Sequence, residues 1–388
     1  MRSPISAKAS RFTESVIREM TRVCNLHGGV NLAQGFPDFE APAAMREAAK
    51  RAIDEGINQY AVTWGAPRLR DAIARRTTAY NGIPTDADAH VTVCCGATEA
   101  MVAAMLGALD PGDEVIIFEP FYENYGPDCI LSGAVPRFVE LRPPHWNFDP
   151  EELRAAFNGK TRAIVINTPH NPTGKVFTRE ELGFLAELCV EHDVLAITDE
   201  IYEYILYDGA EHLSIATLPG MAERTITISG LSKTWSATGW RIGWCIAPEP
   251  ITSGIRKVHD FLTVGAPAPL QEAAADALDF GPEYFRELAD GYTARRDLIC
   301  EGLEAVGLPP FVPRGAYYAM VDIRGVTQSD DVTFAHELVA DGGVATVPGS
   351  SFFERPEDGA HLIRFCFAKR EETLRAAVER LEQRLKRS

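Results

Sequence analysis

Lys233 is the first candidate for a chemically reactive residue in this chain. It lies in the small-residue segment 229–243, directly after the β-branched run 225–228, and Arg241 follows it by eight residues. The run predicts a buried strand, and the glycines and serines after it predict the exit turn. A lysine amine can form a Schiff base with a carbonyl compound, pyridoxal phosphate above all, and an arginine can bind a phosphate. For Lys233 alone, a surface lysine at a helix start is the commoner arrangement.

A second candidate is the turn Gly96-Ala97-Thr98, which follows a predicted strand over residues 91–95 and begins a predicted helix. The free N–H groups and the positive dipole end of a helix N-terminus bind phosphate. The second and third glycines of a dinucleotide-binding fingerprint are missing, and the segment is not a P-loop. On these residues alone, an ordinary tight turn is an equally good interpretation.

Polar side chains follow two further predicted strands. Asn167 and Asn171 lie in a turn rich in proline and glycine, at the edge where open α/β sheets bind ligands. Asp199 ends the next strand, and a carboxylate there can keep a pyridine nitrogen protonated, which makes the ring an electron sink. Tyr202 can donate a hydrogen bond to a ring hydroxyl, whereas Glu200 should face away from Asp199. A structural turn, and a solvated strand end or helix N-cap for the acids, are the alternatives.

Two more side chains complete the set. Tyr122 offers an aromatic face on which a planar ring can stack, although it can equally belong to the core. Arg364 lies in the otherwise apolar predicted strand 361–367, where an unpaired charge is costly. Its partner is either a protein carboxylate, in a structural ion pair, or a substrate carboxylate held by the planar guanidinium.

The composition is that of a soluble globular protein. Of 388 residues, 46% are hydrophobic and 24% are charged. The formal charge of −17 argues against a nucleic-acid-binding protein. No apolar run is long enough to span a membrane, and residues 1–10 lack the apolar core of a secretory signal. Because the eight cysteines lie mostly in apolar segments without a Cys-x-x-Cys pair, we expect free thiols, a cytoplasmic location and no metal site.

The order of predicted elements shows how these residues are positioned. From residue 90 onwards strands alternate with helices, which predicts a mostly parallel sheet covered on both faces. Helices are predicted before it over residues 12–24, 41–55 and 66–80, and they dominate again after about residue 247. We expect a large α/β domain over residues 46–285. Residues 1–45 and 286–388 are predicted to form a smaller α+β domain.

Together these motifs resemble the class I pyridoxal-phosphate aminotransferases, which have the aspartate aminotransferase fold. The lysine segment matches the family signature over residues 230–243, and the other motifs occur in the family's order, so the resemblance covers nearly the whole chain. It implies the fold-type-I architecture, with a seven-stranded, mostly parallel sheet between helices. Within the family, the chain is most similar to the kynurenine/glutamine aminotransferase group over residues 31–39, 58–60, 167–177, 214–228 and 363–374.

The resemblance implies a role for each candidate. Three residues are implied to be catalytic: Lys233, which carries the cofactor and moves the proton, Asp199 at the pyridinium nitrogen, and Tyr202 at the ring hydroxyl. The residues implied to hold pyridoxal 5'-phosphate are Gly96, Ala97, Thr98, Tyr122, Asn171, Asp199, Tyr202, Lys233 and Arg241, with Tyr60 reaching it from the partner subunit of a homodimer. The substrate α-carboxylate is implied to bind Arg364, Asn171 and the backbone around Gly35.

Two positions depart from the family pattern. Gly230 stands where many relatives have serine, so a phosphate-binding hydroxyl is lost, although the family pattern allows glycine. Ile17 lies near the place where some kynurenine-type members have a tryptophan. The second departure leaves the shape of an aromatic substrate pocket open.

The resemblance implies a ping-pong aminotransferase. Its amino donor would be an L-amino acid of the aromatic, glutamine/methionine-like or aspartate kind, and its acceptor a 2-oxo acid. A cysteine-conjugate β-lyase, or another cofactor enzyme of this fold, is the alternative. A regulator with this fold would carry a DNA-binding domain ahead of it, and the match begins near Phe12. A serine–lysine hydrolase would need a serine in place of Gly230.

Overall fold

A computed structural model describes residues 4–386, which form helices and strands in alternation. The helices are α1 (Val16–Leu26), α2 (Ala43–Asp54), α3 (Pro67–Tyr80), α4 (Gly96–Ala108), α5 (Tyr125–Ser132), α6 (Pro150–Ala156), α7 (Arg179–His192), α8 (Glu249–Thr263), α9 (Ala268–Leu278), α10 (Pro282–Ala305), α11 (Asp331–Ala340), α12 (Pro356–Gly359) and α13 (Glu371–Leu385). The strands are β1 (Val30–Asn31), β2 (Val91–Cys94), β3 (Glu114–Glu119), β4 (Val135–Glu140), β5 (Thr161–Asn167), β6 (Leu195–Asp199), β7 (Thr225–Gly230), β8 (Gly243–Ile246), β9 (Pro310–Phe311), β10 (Tyr318–Asp322), β11 (Val344–Ala345), β12 (Val347–Pro348) and β13 (Leu362–Cys366).

Seven strands form the central sheet, in the order β2-β8-β7-β6-β5-β3-β4. Only β8 runs against the others, since it pairs antiparallel with β7 and with β2 while the remaining neighbours pair in parallel. Alternate residues of β5 face opposite layers: Ile164 and Ile166 belong to the core cluster that includes α7, whereas Val165 belongs to the cluster that includes α4. The prediction of a seven-stranded, mostly parallel sheet between helices is therefore confirmed.

A second, antiparallel sheet of four strands lies in the C-terminal region, in the order β12-β13-β10-β9. Strand β1 pairs in parallel with β11, so the N-terminal segment joins this region. That pairing agrees with the predicted small domain, although the division into 46–285 and the flanking segments remains a prediction. Its outermost residues, 1–3 and 387–388, lie outside the described residues.

Capping side chains explain where two helices begin. Helix α7 begins at Arg179 because Thr178, directly before it, and Glu181 in its first turn form a capping box. The helix predicted over residues 12–24 begins at Val16 instead. There Ser15 accepts a hydrogen bond from the N–H of Arg18, and the Glu123 carboxylate accepts one from the N–H of Ile17 at 3.1 Å. The late start of α1 thus depends on a side chain from a distant part of the chain.

Two expectations from composition can be compared with the structure. All eight cysteines are free, and only Cys95 among them is not fully buried, so the prediction of buried free thiols is confirmed for seven. Across residues 4–386, no helix has both the length and the apolar character that crossing a membrane requires.

Helices α4 and α8 pack closely where two glycines meet. A Cβ added to Gly254 would lie 2.8 Å from the carbonyl oxygen of Gly107, and a helix backbone cannot easily move away. In α7, by contrast, a Cβ on Gly183 would meet nothing within 4 Å.

The two glycines should therefore respond in opposite ways to alanine. We expect Gly254→Ala to destabilise the protein by about 1–3 kcal/mol through overpacking. Gly183→Ala should stabilise it by about 0.5–1 kcal/mol, since alanine is the better helix former. The thermal unfolding midpoints of the two variants and the wild type give the order. A Gly254→Ala midpoint at or above that of the wild type would contradict this packing.

Candidate active site

A crevice opens at the carboxyl edge of the central sheet, where β5, β6 and β7 end. Because parallel strands end at the same edge, residues far apart in the chain meet there. Eight of the predicted site residues line the crevice: Ala97, Thr98, Tyr122, Asn171, Asp199, Tyr202, Lys233 and Arg241. Gly35 and Arg364 border it through hydrogen bonds to these residues, and Gly96 begins the helix beside it.

Lys233 places its amine at the centre of the crevice. The Nζ atom donates a hydrogen bond to the carbonyl oxygen of Gly35 at 3.0 Å and lies 5.8 Å from the centre of the Tyr202 ring. Burial lowers the pKa of Lys233 to about 8, and the positive charges of Arg364 and Arg241 act in the same direction. The neutral amine, which is the nucleophilic form, is thus more accessible near neutral pH than in an exposed lysine.

Asp199 is a buried carboxylate at the end of β6. Its Oδ2 atom accepts a hydrogen bond from the Tyr125 hydroxyl at 2.8 Å, and its Oδ1 atom accepts one from the N–H of Ile201 at 3.2 Å. Burial raises the pKa of Asp199, whereas these two hydrogen bonds lower it and favour the ionised form. The alternative of a solvated strand end is therefore wrong.

The neighbouring Glu200 points to the other side of the strand, as expected. It is fully buried and accepts a hydrogen bond from the Ser214 hydroxyl at 2.6 Å. His212 Nε2 lies 2.7 Å from its other carboxylate oxygen. Glu200, Glu203 and His212 could also offer atoms to a metal ion, but the hydrogen bonds between their side chains and neighbouring groups already account for their burial.

Sequence reasoning missed Tyr125, which lies next to Asp199 at the start of α5. The signal was available, because Tyr122 and Tyr125 are three residues apart and can share one face of a helical turn. In the structure their rings meet edge to face, with 5.7 Å between ring centres. Both tyrosines thus line the crevice, and Tyr125 also holds its carboxylate.

The N-terminus of α4 and the guanidinium of Arg241 form one end of the crevice. Arg241 donates to the carbonyl oxygens of Thr238 at 3.0 Å and Cys95 at 3.4 Å, and no carboxylate of residues 4–386 pairs with it. A Cβ on Gly96, which has a positive φ of 82°, would overlap this guanidinium. Glycine is therefore required for the arginine to approach the helix N-terminus.

Arg364 borders the crevice from β13 and is fully buried. It donates to the Asn171 Oδ1 atom at 2.8 Å and to the carbonyl oxygen of Ala33 at 2.7 Å. Its Nε atom has no partner, and its guanidinium lies 4.3 Å from the centre of the Tyr318 ring. Of the two predicted partners, a protein carboxylate is absent from the part of the chain that the structure describes.

Three remaining predictions can be located. The Tyr202 hydroxyl lies 3.0 Å from that of Tyr318, inside the small cluster of tyrosines beside Lys233. Gly35 presents its carbonyl oxygen to the Lys233 amine and to the Tyr317 hydroxyl, both at 3.0 Å. Tyr60 does not reach the crevice of its own chain and is 86% exposed.

These groups fit pyridoxal 5'-phosphate. The helix N-terminus and Arg241 offer donors and positive charge to a phosphate, and Asp199 offers a carboxylate to a protonated ring nitrogen. Lys233 supplies an amine of lowered pKa, and Tyr122 supplies a flat face. A site of this kind has positive charge in excess, because Asp199 is the one carboxylate among the described residues that line it.

Comparison with known proteins agrees with this assignment. The family model for class I and II aminotransferases matches residues 27–381. The chain is 39% identical over 377 residues to the methionine aminotransferase of Escherichia coli (strain K12), covering 97% of each chain. It is 38% identical to kynurenine–oxoglutarate transaminase 1 of Homo sapiens, covering 94% of each.

A solved structure shows the same fold. The N-succinyldiaminopimelate aminotransferase from Mycobacterium tuberculosis superposes with a TM-score of 0.95 at 39% identity, covering 98% of this chain and 99% of that one. These comparisons give no support to the β-lyase alternative. The chain therefore belongs to the class I and II aminotransferases, pyridoxal-phosphate-dependent enzymes that transfer an amino group from an amino acid to a 2-oxo acid.

Proposed function

We propose that the crevice binds an amino acid through Arg364 and processes it with Lys233 and Asp199. The observation that carries this assignment is the buried guanidinium of Arg364, which has an unpaired Nε atom and no carboxylate partner in residues 4–386. Burying an uncompensated charge is costly. An α-carboxylate supplies the missing negative charge, and the amide of Asn171, which the guanidinium contacts at 2.8 Å, completes the binding site.

The other side chains then have distinct tasks. Pyridoxal phosphate, when bound, supplies a ring that withdraws electrons from the carbon bearing the amino group. Asp199 holds the proton on the ring nitrogen, and Tyr125 and the N–H of Ile201 keep that carboxylate ionised and oriented. Lys233 Nζ, near neutral pH, alternates between the neutral and charged forms and can accept and return a proton.

The proposed amino donors are neutral amino acids with large side chains. The relatives named above act on methionine and kynurenine, according to their names. Among the described residues, the arginines at the crevice are Arg241 and Arg364. Arg241 is assigned to the phosphate and Arg364 to the α-carboxylate, so neither is left for a second carboxylate of the substrate. Ile17, near the place where some kynurenine-type members have a tryptophan, packs into the core.

We also propose that the protein is a cytoplasmic homodimer. Loop 58–65, which carries Tyr60, contacts the C-terminal part of α8 through Thr63 and His259, and Phe261 of that part is 92% exposed. These exposed aromatic side chains suit burial against a second copy of the chain. Tyr60 would then reach the partner's crevice, and the free cysteines suit a reducing compartment.

Replacing Arg364 by lysine tests the assignment of the α-carboxylate. Lysine keeps the charge but not the planar pair of donors, so kcat/KM for the amino donor should fall roughly 10- to 100-fold, mainly through KM. Arg296→Lys is the matched control, because Arg296 is also buried but pairs with Asp208 and Asp297. Equal effects of the two changes would argue against a substrate role for Arg364.

Replacing Tyr125 by phenylalanine tests how Asp199 is kept ionised. Without the hydroxyl the pKa of Asp199 should rise, so the acidic limb of the pH profile of kcat/KM moves to higher pH. The activity at neutral pH should fall about tenfold, the effect of one hydrogen bond to a charged group. Tyr207→Phe is the control, since its buried hydroxyl donates to the carbonyl of Ala316. An unshifted acidic limb would show that Tyr125 does not act on Asp199.

A panel of donors in single-turnover half-reactions tests the proposed substrate class. Methionine, glutamine, kynurenine, phenylalanine and aspartate are mixed with holoenzyme, and the loss of the cofactor's visible absorbance is followed. We expect the neutral donors to react at least about tenfold faster than aspartate, because a second carboxylate would be buried without its own cation. Faster reaction of aspartate than of every neutral donor would overturn the proposal.

A further inference from the structure

His259 of α8 is a fully buried histidine with a hydrogen-bond acceptor at each ring nitrogen. Its Nδ1 atom lies 3.0 Å from both carboxylate oxygens of Glu99. Its Nε2 atom lies 2.8 Å from the carbonyl oxygen of Thr63. The Thr263 hydroxyl also lies near Nδ1, at 3.3 Å, and can either donate or accept. Because a carboxylate and a carbonyl oxygen can only accept, the two shorter contacts are both hydrogen bonds when both ring nitrogens donate. The ring that makes both bonds is therefore the charged imidazolium.

The two acceptors belong to the two elements that are proposed to bind cofactor phosphate. Glu99 lies in the first turn of α4, directly after Ala97 and Thr98, and it also accepts from the N–H of Cys95 at 2.9 Å. Thr63 lies in the exposed loop 58–65, three residues after Tyr60. His259 thus connects the phosphate end of one crevice to the loop that is proposed to serve the partner's crevice.

The charge of His259 also matters for the phosphate. A carboxylate in the first turn of a helix offsets part of the positive potential of the helix N-terminus, and its negative charge repels a nearby phosphate. The imidazolium, in direct contact with both oxygens of Glu99, cancels that charge. A neutral histidine would leave the carboxylate uncompensated and would lose one of its two hydrogen bonds.

The groups around His259 determine the pH at which it loses its proton. Burial lowers the pKa of His259, but the hydrogen bond and charge of Glu99 and the carbonyl of Thr63 outweigh it, so the pKa is raised. Asp260 on the same helix adds to this effect. Cys94 and Cys95 of the adjoining segment also face the ring and Glu99.

Cys94, Glu99 and His259 could in principle hold a metal ion, since their ligand atoms lie within 4.8 Å of one another. Both nitrogens of His259 already donate to oxygens, however, and a metal ligand must offer a lone pair. The contacts therefore favour the ion pair over a metal site.

We propose that His259 is a positioning residue for the cofactor's phosphate: its imidazolium holds loop 58–65 against the N-terminus of α4 and neutralises Glu99. The inference rests on the proposed roles of Ala97, Thr98 and Tyr60. The bonds of His259 are complete at a pH below the ordinary value for histidine, and they are lost as the pH rises through its raised pKa. Cofactor retention should therefore weaken on the alkaline side.

The test is the rate at which pyridoxal phosphate leaves the purified holoenzyme in cofactor-free buffer, followed by absorbance between about pH 6 and 9. His259→Gln can replace only one of the two bonds and carries no charge. It should release the cofactor about tenfold faster than the wild type at the acidic end, with a smaller additional increase at alkaline pH. Hydrogen exchange of the amides in loop 58–65 should be faster in this variant. His145→Gln, at an exposed histidine, is the control.

Glu99→Gln provides a second, independent comparison. It keeps the shape of the acceptor but removes the charge that raises the pKa of His259, so the alkaline increase in cofactor release should begin at lower pH. Unchanged release profiles in His259→Gln, or in Glu99→Gln if the first variant does not fold, would overturn the inference. Arg241→Gln separates the two proposals. If only the inference fails, Arg241→Gln still weakens retention; if the phosphate site itself is wrong, Arg241→Gln has no effect either.

Discussion

The uneven charge of one crevice is the constraint on which the site depends. Lys233, Arg241 and Arg364 converge there, and among the described lining residues Asp199 is the one carboxylate. A protein interior tolerates such an excess only where a ligand or solvent offsets it. The cofactor's phosphate and the substrate's carboxylate are the charges that balance it. Burial, aided by the positive charges of Arg364 and Arg241, lowers the pKa of Lys233 and so favours the neutral amine that reacts.

The fold brings these charges together from distant parts of the chain. Asp199 and Lys233 follow neighbouring parallel strands, whereas Arg364 comes from the antiparallel sheet of the C-terminal region. The contact of Arg364 with Asn171 spans 193 residues of sequence. The carboxyl edge of the sheet thus supplies the chemistry of the cofactor, and the C-terminal region supplies the recognition of the substrate.

The pattern of apolar strands made the fold and the positions of several site residues predictable from the sequence. Asp199 and Lys233 were placed correctly at the ends of strands because buried strands leave a clear apolar signal and their ends meet at one edge. The spacing of Tyr122 and Tyr125 indicates only that the two can share a face. The contacts of Tyr125 and His259 were missed because they depend on how their helices pack. The start of α1 was misplaced for a related reason, since Glu123 caps it from outside. The role of Tyr60 depends on contacts with a second chain, and the periodicity of one sequence does not show such contacts.

The recessed position of Arg364 also affects how ligands arrive. Its guanidinium is entirely covered, so its field acts mainly within the crevice. Outside the crevice, within the screening length of about 8 Å at physiological ionic strength, an approaching anion meets the surface of a chain whose formal charge is −17. Cofactor and 2-oxo acids are therefore repelled outside the crevice and attracted within it. Added salt should speed their encounter with the enzyme, the opposite of the steering by which many enzymes collect charged substrates.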